Sequence, residues 1–246
     1  MSAVVPGTLY GVGVGPGDPR LMTLRAAEVL READVVAHFA KAGRRGIGRA
    51  IVDAGLGPSR RELALEYPVT TEIPLDDPAY AGALAAFYAE ASARVASCLA
   101  DGLSVAVVSE GDPFFYGSYM HIHRRLADRW PTEVVAGVTG MSACWTRAGV
   151  PITWGDDVLC VLPGTLDAEA LADRLRGADA VVVMKLGANL PKVRAALEGA
   201  GLLARAVYVE RGSMAGERVC PLADLPTDHA SPYFAMVLVP GEGRRP

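Results

Sequence analysis

Short apolar runs alternate with helical patterns along almost the whole chain, and that alternation leaves few folds open. Thr8 to Val14 alternates apolar residues with glycine, and Leu24, Ala27 and Leu30 then recur at helical spacing. Val35 to Phe39 reads as a strand, and Lys41-Ala-Gly-Arg-Arg-Gly-Ile-Gly-Arg49, basic and rich in glycine, reads as a loop. The clearest helix runs from Tyr80 to Ala100, where Leu84, Phe87, Tyr88, Ala91, Val95 and Cys98 share one face. Ser104 to Ser109 has the length and β-branched content of a buried strand. Further strands are expected at Val134–Ala136, Val158–Leu162, Ala180–Met184, Ala206–Val209 and Phe234–Val239. The helices among them are Met141–Ala148, Ala168–Arg176 and Pro191–Leu197. The class is therefore α/β with largely parallel sheets, mixed near the carboxyl end. With 246 residues there is room for two domains, each with its own core, and the boundary is placed near Gly137, giving 1–136 and 137–246.

Composition narrows the function classes. A 51% hydrophobic share with 21% charged residues and no charge run describes a packed globular chain. The net charge of -4 argues against a phosphate-backbone binder, so nucleic acid is not an expected partner. Cys98, Cys144, Cys160 and Cys220 lack the paired spacing of zinc or redox sites and read as buried free thiols. His121 and His123 have no third ligand near in sequence, so no metal is expected. The first residues lack a signal-peptide pattern and no apolar run could span a bilayer, which points to a soluble cytoplasmic protein without a membrane partner.

In α/β sheets, ligands gather at the carboxyl ends of strands, and four loops there are unusual. The first, Gly11-Val-Gly-Val-Gly-Pro-Gly-Asp-Pro19, lacks the G-x-G-x-x-G spacing of a dinucleotide fold, and Pro16 and Pro19 remove amide donors. A nicotinamide-dependent dehydrogenase is thus disfavoured, although a purely structural glycine turn would also suit this loop. Ser109-Glu-Gly-Asp-Pro-Phe-Phe-Tyr-Gly117 packs two acids and three aromatic rings into nine positions, suited to an amine, a ribose or a sulfonium beside a flat apolar ligand. Gly137-Val-Thr-Gly-Met-Ser142 offers small residues at a helix start, and Glu210-Arg-Gly-Ser-Met-Ala-Gly216 is a polar turn after a strand.

Together and in order, these loops resemble the cobalamin-pathway tetrapyrrole methyltransferases. That superfamily shows a V-G-x-G-P-G-D-P start followed by L-T-L, a G-D-P loop, a G-(I/V)-(T/S) loop and a terminal E-x-G-(T/S) turn. Phe39-Ala-Lys-Ala-Gly-Arg-Arg45, Ser109 to Ser118 and Val183-Met-Lys-Leu-Gly187 are most similar to the branch that methylates precorrin-2 at carbon 20. The resemblance implies two α/β domains with S-adenosylmethionine in the cleft between them, in a homodimer. It carries cofactor contacts onto Pro16, Glu110, Gly111, Asp112, Phe115, Thr139, Gly140, Met184 and Gly212. Glu110 departs from the glycine that many relatives carry there.

A substrate with many carboxylates around a flat ring calls for cations on the rim of an apolar trough. Lys41, Arg44 and Arg45 suit that role, with a plain solvated loop as the alternative, and Lys185, Arg211 and the ring of Tyr116 are further candidates. Uroporphyrinogen methylases carry an acidic base after the second strand, where this sequence has His38, so no base is carried over. His38 or Glu110 could take up the proton that leaves after methyl transfer, as could water or a ring nitrogen. A cobalt-containing substrate, another ring carbon and a non-catalytic tetrapyrrole carrier are the rival readings.

Overall fold

A computed structural model describes residues 4–58, 61–68 and 78–243; Met1–Ala3 of the amino-terminal stretch lie outside them. The chain divides into two compact units, 1–139 and 140–246.

In the first unit the order is β1 (Leu9–Gly13), α1 (Leu24–Glu32), β2 (Val35–Lys41), α2 (Ile47–Leu56), β3 (Glu62–Tyr67), α3 (Pro78–Ala100), β4 (Val105–Ser109), α4 (Tyr119–Leu126) and β5 (Thr132–Val135). The five strands form one parallel sheet in the order β3-β2-β4-β1-β5. Alternation along the strands gives each face its own core. Leu9, Val35, Ala37, Val105 and Val107 pack with Phe87, Tyr88, Ala91, Val95 and Cys98 of α3 and with Ile122 and Leu126 of α4. Tyr10, Val12, Val36, Ala106 and Val108 pack with Ala26, Val29 and Leu30 of α1 and with Ile51 and Val52 of α2.

The second unit runs α5 (Gly140–Ala148), β6 (Leu159–Pro163), α6 (Ala168–Leu175), β7 (Ala180–Met184), α7 (Leu190–Gly199), β8 (Val207–Glu210), β9 (Arg218–Pro221) and β10 (Ala235–Val239). Its sheet, β6-β7-β10-β8-β9, is mixed as expected: β6 and β7 are parallel, while β10 runs antiparallel to both β7 and β8. Val181, Val183, Val237 and Val239 pack with α6 and α7, and Val182, Val209 and Leu238 pack with Cys144 on α5.

Three readings need correction. The segment from Lys41 to Arg49 is not a single loop, because Lys41 closes β2 and residues from Ile47 onward form α2, whose Arg49, Ile51 and Val52 are buried. Leu24 does not face the core: it is 85% exposed at the start of α1, and Ala26, Val29 and Leu30 carry the buried stripe. Only Cys98 and Cys144 are buried thiols, since Cys160 and Cys220 are half-buried. Among the described residues no helix is long and apolar enough to cross a membrane.

Candidate functional site

In the first sheet, the chain leaves β1 toward β2 on one side and leaves β4 toward β5 on the other, although β1 and β4 are neighbours with Gly13 beside Ser109. Diverging connections of this kind open a crevice at the strands' carboxyl ends. The loop after β1 and the loop after β4 meet there: Val14 donates its amide to Ser109 O at 3.0 Å, and Gly111 donates to Gly15 O at 2.8 Å.

The loop after β5 closes onto the same place. Asp112 Oδ2 accepts from Gly137 N at 3.0 Å, while Oδ1 accepts from Phe114 N at 2.9 Å and shapes its own turn. Three backbones thereby come into contact with no room for a side chain. A Cβ on Gly137 would lie 2.0 Å from Gly111 O, and one on Gly13 would lie 2.6 Å from both Gly111 O and Gly137 Cα. Pro16, Gly111, Asp112 and Phe115 are thus brought together at the edge of the first unit. Phe114 and Tyr116 stay 49% and 43% exposed, with Phe114 edge-on to His123 and Tyr116 edge-on to Phe115.

At the end of β2 the basic segment is divided. Arg44 is exposed, but Arg45 is ion-paired with Asp53 and Glu62. Arg49 is fully buried, with its Nη2 2.6 Å from Asp53 and 2.9 Å from Glu62. The Arg49 guanidinium holds the Glu62 carboxyl below its usual range. His38 is 4% exposed beside this cluster, its Nε2 3.7 Å from Glu62. Burial pushes its pKa down, against the pull of Glu62. Glu110 has its carboxyl raised by burial, and its Oε1 accepts from Gly48 N of α2 at 2.6 Å.

The second unit gathers its own candidates along one edge. Because β7 and β8 both oppose β10, they point the same way; Met184 and Glu210 are their last residues, and Lys185, Arg211 and Gly212 follow. Gly164 N donates to Met184 O at 2.7 Å, and a Cβ on Gly212 would lie 3.0 Å from Cys144 Sγ, so both turns are tightly seated. Gly140 opens α5 next to Met236 at the start of β10, on the same edge. Thr139 is the last residue of the first unit.

Among the described residues, four non-glycine residues adopt positive φ, namely Tyr116 (56°), Lys185 (57°), Arg211 (51°) and Ser213 (65°), and every one lies in these loops. Left-handed backbone at residues with a Cβ costs on the order of 1 kcal/mol or more each, and such strain concentrates at ligand sites. Three of the four are among the residues expected to meet substrate. His121 and His123 do other work: His121 stacks on Tyr88 at 3.9 Å between centroids, and His123 meets Phe114 edge-on at 4.8 Å.

Sequence reasoning missed the Arg49, Asp53 and Glu62 cluster, whose one local trace is the i,i+4 spacing of Arg49 and Asp53. It also missed the hydroxyl of the buried Tyr208, which meets Glu210 Oε2 at 3.0 Å, Ser231 Oγ at 3.1 Å and His229 Nε2 at 3.2 Å. No sequence signal would have paired those residues.

A family model described as Tetrapyrrole (Corrin/Porphyrin) Methylases matches residues 8–226. A Sinorhizobium protein named Precorrin-2 C(20)-methyltransferase is 55% identical over 246 residues, all of both chains. The Cobalt-precorrin-2 C(20)-methyltransferase of Salmonella typhimurium is 29% identical, over 95% of this chain and 96% of that one. A solved structure of Uroporphyrin-III C-methyl transferase from Thermus thermophilus, complexed with S-adenyl homocysteine, shares the fold with a TM-score of 0.67 at 24% identity, covering 95% of this chain and 92% of that one. The match across most of the chain, together with three glycine-tight loops at the switch point of the first sheet, shows that this chain belongs to the tetrapyrrole (corrin/porphyrin) methylase family.

Proposed function

We propose that this protein transfers the methyl group of S-adenosylmethionine to carbon 20 of metal-free precorrin-2, giving precorrin-3A in cobalamin biosynthesis. The observation that carries the proposal is the 55% identity, end to end, with a protein named for that reaction. The relative named for the cobalt-containing substrate stands at 29%, which favours the metal-free tetrapyrrole.

The residues fit the methyl donor. The partly exposed rings of Phe114 and Tyr116 lie in one loop with Asp112, an arrangement that suits a cationic sulfonium. Ser213 Oγ, in the turn after β8, is buried without a hydrogen-bond partner among the described residues, an unsatisfied polar atom that a nucleoside hydroxyl or an amino-acid group of the donor would satisfy. Pro16, Gly111, Asp112, Phe115, Thr139, Gly140, Met184 and Gly212 are the proposed cofactor residues; Glu110, expected among them, is left out because its Oε1 is taken by Gly48 N of α2. When bound, the cofactor supplies a methyl group already activated by positive sulfur.

The protein's own part is placement. Holding the ring carbon in line with that methyl group at near-attack distance is worth on the order of 7 to 11 kcal/mol. Lys41, Arg44, Lys185 and Arg211 are proposed to meet the substrate carboxylates, with Tyr116 against the ring. Arg45 joins them only by exchanging its partners Asp53 and Glu62. His38 and Glu110 both lie against α2, so the proton released after methylation is assigned to water or a ring nitrogen. The same reading makes the enzyme a cytoplasmic homodimer, with light scattering as its check.

The test is incubation with precorrin-2 and a methyl-labelled donor under anaerobic conditions, followed by mass spectrometry and carbon-13 NMR. One added methyl on carbon 20 is expected, faster than on the cobalt-containing substrate. An unchanged substrate mass would refute the assignment, and tetrapyrrole binding without turnover would favour a carrier.

A further inference from the structure

Helix α2 begins without a side-chain cap of its own, because its N-cap residue is Gly46. The first amides of a helix still need acceptors, and an anion placed there also meets the positive end of the helix dipole. One amide is satisfied from 62 residues away, where Glu110 Oε1 accepts from Gly48 N at 2.6 Å. Gly48 permits the approach, since a Cβ there would already stand 3.3 Å from that oxygen. On its other side the turn is pressed onto β2: a Cβ on Gly46 would lie 2.1 Å from Phe39 O and 3.0 Å from His38 Nδ1. The short turn carrying Arg44 and Arg45 is therefore held at one end by β2 and at the other by a carboxylate from the loop that contains Gly111 and Asp112.

We propose that Glu110 is a positioning residue for the tetrapyrrole, fastening the start of α2 so that Lys41 and Arg44 stand in register with the Gly111–Asp112 loop. Its carboxylate takes no proton from the reacting ring. This inference rests on the methyltransferase reading for its kinetic consequence, but the strap itself has a readout that needs no turnover.

The experiment compares wild type, Glu110→Ala and Glu110→Gln by initial rates at varied precorrin-2, by calorimetry with S-adenosylhomocysteine, and by hydrogen exchange over residues 42–50. Glu110→Ala is expected to raise KM for the tetrapyrrole about tenfold, the size that loss of a charge-assisted cap implies. It should also speed exchange over residues 42–50 while cofactor affinity stays within about twofold. Glu110→Gln keeps a carbonyl oxygen for Gly48 N and should recover most of both effects.

A Glu110→Gln enzyme with KM intact and kcat about a hundredfold lower would make Glu110 the proton acceptor and overturn the proposal. Unchanged exchange over residues 42–50 in Glu110→Ala would overturn it as well. If Glu110→Ala does not fold, the Glu110→Gln comparison decides. An inactive wild type would instead count against the proposed reaction, and exchange would still report on the strap.

Discussion

Replacing Gly137 by alanine puts a methyl group 2.0 Å from Gly111 O and 2.8 Å from Gly13 Cα. Side-chain carbons do not approach a carbonyl oxygen closer than about 3 Å, so the loops after β4 and β5 must part by on the order of 1 Å. Gly137 has no positive φ, so the backbone itself suits alanine and the whole effect is steric. Overpacking of this kind costs roughly 1 to 3 kcal/mol. The 3.0 Å bond from Gly137 N to Asp112 Oδ2 is also at risk, worth roughly 1.5 to 3 kcal/mol as a hydrogen bond to a charged group. Taken together, a loss of about 3 kcal/mol in the first unit is expected, or about 10 °C in its melting temperature. A shift of 1 Å in positioned groups can cost about a hundredfold in rate, so kcat/KM should fall on that scale. Differential scanning calorimetry and titration with S-adenosylhomocysteine read out the two effects. The control is Gly82→Ala on α3, where a Cβ meets nothing within 4 Å and alanine should stabilise by roughly 0.5 to 1 kcal/mol. If Gly137→Ala melts within 2 °C or so of wild type and binds the cofactor product normally, the three-loop junction is wrong.

Two further substitutions probe the charges and the strain. Because Arg49 holds Glu62 below its ordinary 4.5, that contribution to stability is present above pH 4.5 and disappears as pH falls through the lowered value. Arg49→Met should therefore flatten the acid limb of urea midpoints measured from pH 7 to pH 3, at a cost of about 2 kcal/mol at pH 7 once the partial exposure of its partners is allowed for; an unchanged acid limb would refute the pairing. Lys185→Gly relieves a φ of 57° and should raise stability by about 1 kcal/mol in chemical denaturation, while KM for the tetrapyrrole rises if the amine meets a substrate carboxylate. A gain in stability with no change in KM would remove Lys185 from the substrate site.

The first sheet was readable because buried parallel strands are continuous apolar runs, as at Val105–Ser109, and because α3 keeps one apolar face over many turns. The strands that escaped notice are both at sheet edges. β3, Glu62–Tyr67, and β9, Arg218–Pro221, carry charged or proline residues where a central strand would carry valine. Helix α2 was hidden by its own composition, since glycine and arginine ordinarily mark a solvated loop. What no local pattern revealed is that Arg49 is buried against a glutamate on the next strand. The loops of the candidate site were visible as motifs, but the roles of their side chains were not. Asp112 spends both oxygens on backbone amides, and Glu110 reaches a helix far away in sequence.

The position of β10 has a consequence for how the protein is made. It follows every other strand of its sheet in the chain, yet it lies between β7 and β8. Until Ala235–Val239 has left the ribosome, those two strands have no neighbour to join them, whereas every strand of the first unit has emerged by Val135. Folding during synthesis should thus be sequential, with the amino-terminal half settled while the other half waits, exposing valine-rich edges that a holding chaperone would recognise.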